Sequence, residues 1–220
     1  QWLLPDGEVL HQLIQTARPY GWPANNLFYQ PLLETTLADG LARYPQVSVR
    51  RGREFTRFIQ DADGVSVMHI ESRGAQYSKQ APVLGQTPAP QEGEEVLRAR
   101  YFVACDGGRS AVRAQLGINM TGKSFPNPWI VVDIKQKDGE DCLRHLPYFS
   151  FICDPECPTV SCRQPYGHHR FEFMLMPGQT KEHMEKPETV RAYLSKYVDV
   201  NKVEELRSLV YTFNALVAEK

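Results

Sequence analysis

The segment Cys105–Gly108, with one cysteine, one aspartate and two glycines, interrupts an apolar run near the middle of this 220-residue chain. Within Arg98–Ile118 (RARYFVACDGGRSAVRAQLGI), the apolar residues up to Ala104 favour a strand, and Ser110 is suited to cap a helix that Leu116-Gly117 would end. Such a junction directs backbone N–H groups and the positive end of a helix dipole outward, which favours an anionic ligand. An ordinary strand-to-helix turn has the same local sequence, because Asp-Gly is a common turn dipeptide.

A second group of polar residues lies on a strand predicted over Arg170–Met176. Arg170 is suited to bind a carboxylate with two hydrogen bonds, and Arg163, His168 and His169 compete for that role. One face of this strand is expected to line a pocket and the other to pack in the core, and the sequence leaves open which. Strand alternation puts two sets of residues on opposite faces: Arg170, Glu172, Met174 and Met176, and Phe171, Phe173 and Leu175.

Tyr211 and Asn214 belong to the last predicted strand and are candidates to hydrogen-bond a polar group of a ligand. A core tyrosine with a satisfied hydroxyl is the common alternative. The sequence identifies no general base. The nearby cysteines and histidines lack the paired Cys-x-x-Cys spacing of structural zinc sites, so no metal is expected at Cys153, Cys157, Cys162, His168 and His169.

The composition limits the class of protein and of partner. Hydrophobic residues make up 42% of the chain and charged residues 23%, with a formal net charge of -1. No basic field favours nucleic acid, and no apolar run is long enough to span a membrane. The five cysteines are an odd, scattered number, which favours free thiols in the cytoplasm. Homo-oligomer formation stays open.

The order of predicted elements is rich in strands with segregated helices, which indicates an α+β fold with a division near Gly117–Lys123. We expect a hairpin or a bend in Trp2–Ile14, and an exposed loop or, alternatively, a lid over Arg73–Glu95. The predicted strands are Val47–Arg50, Glu54–Gln60, Val65–Ile70, Val96–Ala104, Trp129–Ile134, Phe149–Cys153, Thr159–Gln164, Arg170–Met176 and Tyr211–Val217. The predicted helices run from Pro31 to about Tyr44, from Ser110 to Leu116, over Pro187–Val198 and over Val203–Leu209.

The central junction carries a family resemblance. Cys105–Arg113, followed by Leu116-Gly117-Ile118, resembles the Asp-Gly motif of group A flavoprotein aromatic hydroxylases, the p-hydroxybenzoate hydroxylase-type superfamily. The segments before the first long helix resemble the same family: Gly21-Trp22-Pro23, Phe28–Pro31 and Leu32–Glu34. Three later segments are similar to its 3-(3-hydroxyphenyl)propionate hydroxylase branch: Phe125–Asp133, Phe171–Gly178 and Tyr211–Ala218.

This resemblance implies the central part of a two-domain flavin monooxygenase fold. Residues 1–119 would form a partial FAD-binding region and residues 120–220 a substrate-binding domain with a mixed or antiparallel sheet, with residues 1–22 free to pack on the latter. It implies FAD, NAD(P)H and dioxygen, with ortho-hydroxylation of a small phenolic acid. The cofactor-binding residues it implies are Gln30, Asp106, Gly107, Arg109 and Arg113, and the substrate would meet Arg170, Glu172, Met174, Tyr211 and Asn214.

The ends of the chain shape the expected activity. The family's Gly-rich dinucleotide motif would precede Gln1, and its second cofactor motif would follow Lys220. We therefore expect an internal fragment that binds FAD weakly or not at all and is inactive alone. Two alternatives stay open: a non-catalytic module that binds an aromatic acid or a protein, and a flavoprotein of the same fold with another reaction, such as epoxidation or halide oxidation.

Overall fold

The computed structural model describes residues 1–14, 16–72 and 83–219. They form two compact units, here called unit 1 (residues 1–43 and 124–214) and unit 2 (residues 44–123 and 215–220). Both contain helices and strands, which confirms the α+β prediction. The predicted ranges 1–119 and 120–220 are continuous in sequence, whereas each compact unit combines separated segments. The assignment of those ranges to cofactor and substrate stays a prediction.

The helices and strands follow in chain order, with a 3-10 turn at Leu41–Arg43 after the first helix. They are β1 (Trp2–Leu3), β2 (Val9–His11), α1 (Gln30–Gly40), β3 (Arg53–Asp61), β4 (Gly64–Glu71), β5 (Glu95–Ala99), α2 (Ala111–Gln115), β6 (Met120–Ser124), β7 (Trp129–Gln136), β8 (Phe149–Ile152), β9 (Thr159–Arg163), β10 (His168–Met174), α3 (Lys181–Met184), α4 (Pro187–Leu194), β11 (Val203–Tyr211) and β12 (Asn214–Ala218).

Unit 1 is built on a seven-stranded sheet in the order β11-β7-β10-β9-β8-β1-β2. The β1–β2 hairpin joins this sheet because β1 runs parallel to β8. One face of the sheet carries the core: Phe171 is 0% exposed and Phe173 1%, and both pack with Met184 and Leu194 from α3 and α4. Because side chains alternate along a strand, Arg170, Glu172 and Met174 lie on the opposite face. The structure thus answers which face of this strand packs in the core.

The prediction of a helix over Val203–Leu209 is wrong. This segment belongs to the edge strand β11, which runs antiparallel to β7. Val203, Leu206 and Leu209 recur three residues apart, which mimics a helix face. The open hydrogen-bonding edge of β7 provides a partner that local sequence does not reveal. An irregularity between Glu205 and Arg207 shifts the register, which also breaks the simple alternation expected of a strand.

Several predicted strand limits also need correction. Val47–Arg50 has no strand structure, and β5 ends at Ala99 rather than Ala104. No described strand pairs with this apolar stretch. Its side chains are also open to solvent, since Tyr101 is 79% exposed and Val103 80%. The predicted final strand is divided between β11 and β12. Part of the predicted loop over Arg73–Glu95, residues 73–82, lies outside the described residues.

Unit 2 holds its short helix α2 against the sheet β3-β4-β5. The Gln115 side chain accepts a hydrogen bond from Phe58 N at 3.1 Å and donates one to Phe58 O at 2.6 Å. Val112 packs with Phe58 and Val65 in a small buried cluster. Together these contacts fix the helix that follows Cys105–Gly108.

Replacing Gly64 with Ala should lower the free energy of unfolding by about 2 kcal/mol. Gly64 has φ +146°, and a Cβ there would lie 2.3 Å from the backbone oxygen of Ala99 in the paired strand β5. Gly139→Ala is the matched control, because Gly139 also has positive φ (+80°) but nothing lies within 4 Å of its added Cβ. Urea unfolding that gives equal losses for both variants would contradict the close-approach argument.

Candidate functional site

A cleft of about 540 Å³ lies on the face of the unit 1 sheet opposite the core; we call it the charged cleft. The floor of the cleft includes a row of residues paired across five neighbouring strands. Residues 26–31 and Glu34, around the start of α1, form a wall of the cleft. The row consists of Arg207 (β11), Asp133 (β7), Arg170 (β10), Cys162 (β9) and Phe149 (β8). The sheet register therefore brings charged and aromatic side chains into one concave surface.

Arg170 and Asp133 form a two-point ion pair in this row. Arg170 Nε lies 2.7 Å from Asp133 Oδ1, and Arg170 Nη2 lies 3.0 Å from Oδ2. The Asp133 side chain is 8% exposed and that of Arg170 34%. Both carboxylate oxygens of Asp133 are thus used by one guanidinium, and the charge of Arg170 is largely neutralised within the protein.

Glu172 and Cys162 line the same cleft and are partly buried. Burial raises the pKa of Glu172 above its usual value, against the opposing effect of the positive charge on Arg170. Burial also raises the pKa of Cys162 to about 11, so this thiol is protonated at neutral pH. The cleft therefore contains a carboxyl group with increased proton affinity and an unreactive thiol.

The entrance to α1 forms the other side of the charged cleft. Gln30 is the first residue of α1, and its Nε2 donates to Glu34 Oε1 at 2.7 Å. Tyr29 stacks on His168, with ring centroids 3.8 Å apart. Gln30, predicted to bind cofactor, therefore lines the same cleft as Arg170 and Glu172, predicted to bind substrate.

In unit 2, the predicted helix cap after the glycines is present. Ser110 Oγ accepts a hydrogen bond from Arg113 N at 2.9 Å, and Gly117 ends the helix with φ +73°. Asp106 Oδ2 accepts from Val112 N at 3.2 Å. Burial opposes ionisation of Asp106, but hydrogen bonds from Ser110 and from backbone N–H groups outweigh it and lower the pKa. Asp106 therefore holds N–H groups at the start of α2.

The bend itself is open to solvent. It lines a shallow cleft of about 370 Å³ with residues of α2 and β6, here called the bend cleft. Gly107 has φ +76°, and a Cβ on Gly107 or Gly108 would meet nothing within 4 Å. Arg113 Nη1 donates to Gly108 O at 2.9 Å, while its Nε is buried and has no hydrogen-bond partner among the described residues. Arg109 is exposed in the same bend.

The remaining predicted substrate residues lie outside the lining of the charged cleft. Met174 Sδ accepts a hydrogen bond from Asn127 Nδ2 at 3.4 Å. Asn214 bonds Ser124 Oγ through Oδ1, and Tyr211 lies beside Arg207, whose guanidinium carbon is 5.3 Å from its ring centroid. Arg207 does line the cleft, and sequence reasoning missed it. Reading Arg207, Leu209 and Tyr211 as alternate residues of a strand could have found it.

The cysteines and histidines considered for zinc do not converge. In the described part of the chain, no three His, Cys, Asp or Glu side chains are placed to hold a metal ion. Cys157 is buried, Cys153 is exposed, and His169 bonds Ser161 Oγ at 2.8 Å. Among the same residues, no helix has the length and apolar character needed to cross a membrane.

Comparison with known proteins identifies the family. Residues 11–209 match the family model described as "FAD binding domain". The chain belongs to the FAD binding domain family. This membership confirms the flavoprotein resemblance carried by Cys105–Arg113.

The FAD binding domain relatives include named hydroxylases. The chain is 36% identical over 221 residues to a 3-(3-hydroxy-phenyl)propionate/3-hydroxycinnamic acid hydroxylase of Escherichia coli O81 (strain ED1a), covering 100% of this chain and 36% of that protein. Its similarity to the enzyme of the same name from Burkholderia cenocepacia (strain HI2424) is 36% identity over 98% of this chain and 36% of the relative. The chain thus spans about a third of the length of these relatives.

Solved structures share the FAD binding domain fold. p-Nitrophenol 4-monooxygenase from Pseudomonas putida DLL-E4 superposes with a TM-score of 0.75 at 16% identity, over 99% of this chain and 51% of that one. Aklavinone-11 hydroxylase, in a ternary complex with FAD and aklavinone, has a TM-score of 0.73 at 21% identity, over 100% of this chain and 41% of that one. These likenesses confirm that the fold is that of flavin monooxygenases.

Proposed function

We propose that this chain contributes to an FAD-dependent monooxygenase that hydroxylates a small phenolic acid such as 3-(3-hydroxyphenyl)propionate, with NAD(P)H and dioxygen as cosubstrates. The observation that carries the proposal is the 36% identity to hydroxylases of that name along the whole chain. The charged cleft supports it, because an aromatic and partly charged concave surface suits a small aromatic acid.

The bend in unit 2 fits a nucleotide cofactor. Gly107 and Gly108 leave open space beside the backbone, and the buried Arg113 Nε has no partner among the described residues. Asp106 would keep the α2 N–H groups in place, and Arg109 and Arg113 would hold phosphate. The cofactor contact of Gln30 in unit 1 is a separate proposal. When bound, the flavin supplies the activation of oxygen. We expect this chain alone to hold FAD weakly or not at all.

The substrate would occupy the charged cleft. Glu172 and the Arg170–Asp133 pair would set the electrostatic environment of the ring, and Phe149 and Phe151 would contact its apolar surface. The roles of Met174, Tyr211 and Asn214 as substrate contacts stay predictions, since these residues lie outside the lining of the cleft. The balanced reaction adds one oxygen atom of O2 to a ring carbon and reduces the other to water, with NAD(P)H and a proton consumed. We propose cytoplasmic localisation, since all five cysteines are free thiols.

The test uses the full-length product of the gene that encodes this chain. We expect a bound flavin spectrum, NAD(P)H oxidation on addition of 3-(3-hydroxyphenyl)propionate, and a product heavier by one oxygen atom. 3-Phenylpropionate, which lacks the hydroxyl group, is the matched control and should give no hydroxylated product. Absence of flavin would favour a non-catalytic binding module. Flavin with epoxide or halogenated products instead of hydroxylated ones would favour the other reaction on this fold.

A further inference from the structure

The charged cleft contains two guanidinium groups in different electrostatic states. Asp133 stands between them in the sheet, paired with Arg170 on β10 and with Arg207 on β11. Both of its oxygens accept hydrogen bonds from Arg170, at 2.7 and 3.0 Å. Glu172 follows two residues after Arg170 and also lines the cleft. Arg170 is therefore poorly placed to bind a second anion with two hydrogen bonds.

Arg207 has no such neutralising partner. Throughout residues 1–14, 16–72 and 83–219, no carboxylate lies within ion-pair distance of its guanidinium. Its guanidinium carbon lies over the Tyr211 ring, 5.3 Å from the ring centroid. A cation over an aromatic ring keeps its hydrogen-bond donors free, because the interaction uses the face of the guanidinium. Arg207 thus has hydrogen-bond donors available for a ligand in the charged cleft.

The rest of the cleft selects the chemistry of that ligand. The cleft also contains the acidic side chains Asp133, Glu172 and Glu34. Asp133 is paired with Arg170, and Glu34 accepts a hydrogen bond from Gln30 Nε2. Phe149, Phe151 and Tyr29 provide aromatic contacts. A ligand with an aromatic ring and one carboxylate matches this arrangement, provided that its carboxylate lies at the β11 side of the cleft.

From these observations we infer that Arg207, positioned by Tyr211, binds the carboxylate of the aromatic acid, and that Arg170 does not. The inference rests on the proposed function, because it assigns one end of the proposed substrate. In this inference Tyr211 positions the guanidinium of Arg207 and does not hydrogen-bond the phenol hydroxyl of the substrate.

The test measures binding of two ligands to the full-length protein that contains this chain by isothermal titration calorimetry. The ligands are 3-(3-hydroxyphenyl)propanoate and its neutral primary amide, which differ only in the charge of one end. We expect Arg207→Gln to weaken binding of the acid about tenfold and leave the amide unchanged, because a charge-assisted hydrogen bond is lost. Arg207→Lys should retain part of the preference. Arg144→Gln, an exposed position in unit 1, is the matched control and should change neither affinity.

The outcomes separate the inference from the proposed function. If the full-length wild-type protein binds the acid and Arg207→Gln keeps the same acid-to-amide ratio, the inference fails and the proposed function stands. If the acid-to-amide affinity ratio is lost in the double variant Arg170→Gln/Asp133→Asn but not in Arg207→Gln, the carboxylate binds Arg170, and this also overturns the inference. If the full-length wild-type protein binds neither ligand, both the inference and the phenolic-acid proposal fail.

Discussion

Acidification from pH 7.5 to pH 4 should remove about 3 kcal/mol of unfolding free energy through one residue, His169. His169 is 0% exposed, and its Nδ1 has no hydrogen-bond partner among the described residues. Burial, followed by the positive charges of Arg163 and His145, lowers its pKa from 6.5 to about 4. The folded protein therefore resists protonation that the unfolded chain accepts. Stability is unaffected above pH 6.5 and is lost progressively as the pH falls toward 4.

Urea unfolding at several pH values checks this expectation. His169→Phe preserves an aromatic ring beside Phe171 but cannot titrate. Between pH 7.5 and pH 4, the free energy of unfolding of this variant should therefore fall by about 3 kcal/mol less than that of wild type. Loss of the 2.8 Å bond to Ser161 lowers the variant's stability equally at every pH. His183→Gln, a change at an exposed histidine of α3, is the matched control. Parallel curves for wild type and His169→Phe would contradict the argument.

Elements specified by local chemistry were predictable from the sequence. Ser110 caps α2 and Gly117 ends it, because a short hydroxyl side chain and a left-handed backbone position are local requirements. The hairpin formed by β3 and β4 follows from the Asp61–Gly64 turn for the same reason. The sequence left open which face of β10 packs in the core. The structure answers this, because α3 and α4 pack on the face that carries Phe171 and not on the face that carries Arg170.

Elements that depend on distant partners were not predictable in this way. β11 forms because β7 offers an open edge, and the segment's own spacing favours a helix. Arg207 was missed as a consequence, since a residue on a supposed helix could not be placed in the same row as Asp133. The segment after Ala99 shows the reverse case: its apolar pattern favours a strand, but no described strand pairs with it.

Asp133→Asn should lower the free energy of unfolding by about 3 kcal/mol, because it leaves the guanidinium of Arg170 without its counter-charge. The expected loss is at the lower end for buried pairs, since the Arg170 side chain keeps 34% of its exposure. Urea unfolding of the chain measures it. Asp141→Asn is the matched control: Asp141 faces Arg144 at 3.7 Å with both side chains mostly exposed, so its loss should stay below about 0.5 kcal/mol.

The same substitution has a second consequence, in ligand binding. Without the Asp133 charge, Arg170 gains free donors, and the charged cleft contains two unneutralised guanidinium groups. Asp133→Asn should therefore bind 3-(3-hydroxyphenyl)propanoate several-fold more tightly relative to its amide, even though the protein is less stable. Stability and acid preference would then change in opposite directions at one residue. A variant as stable as wild type, or one with reduced acid preference, would show that the Arg170–Asp133 pair does not neutralise the cleft.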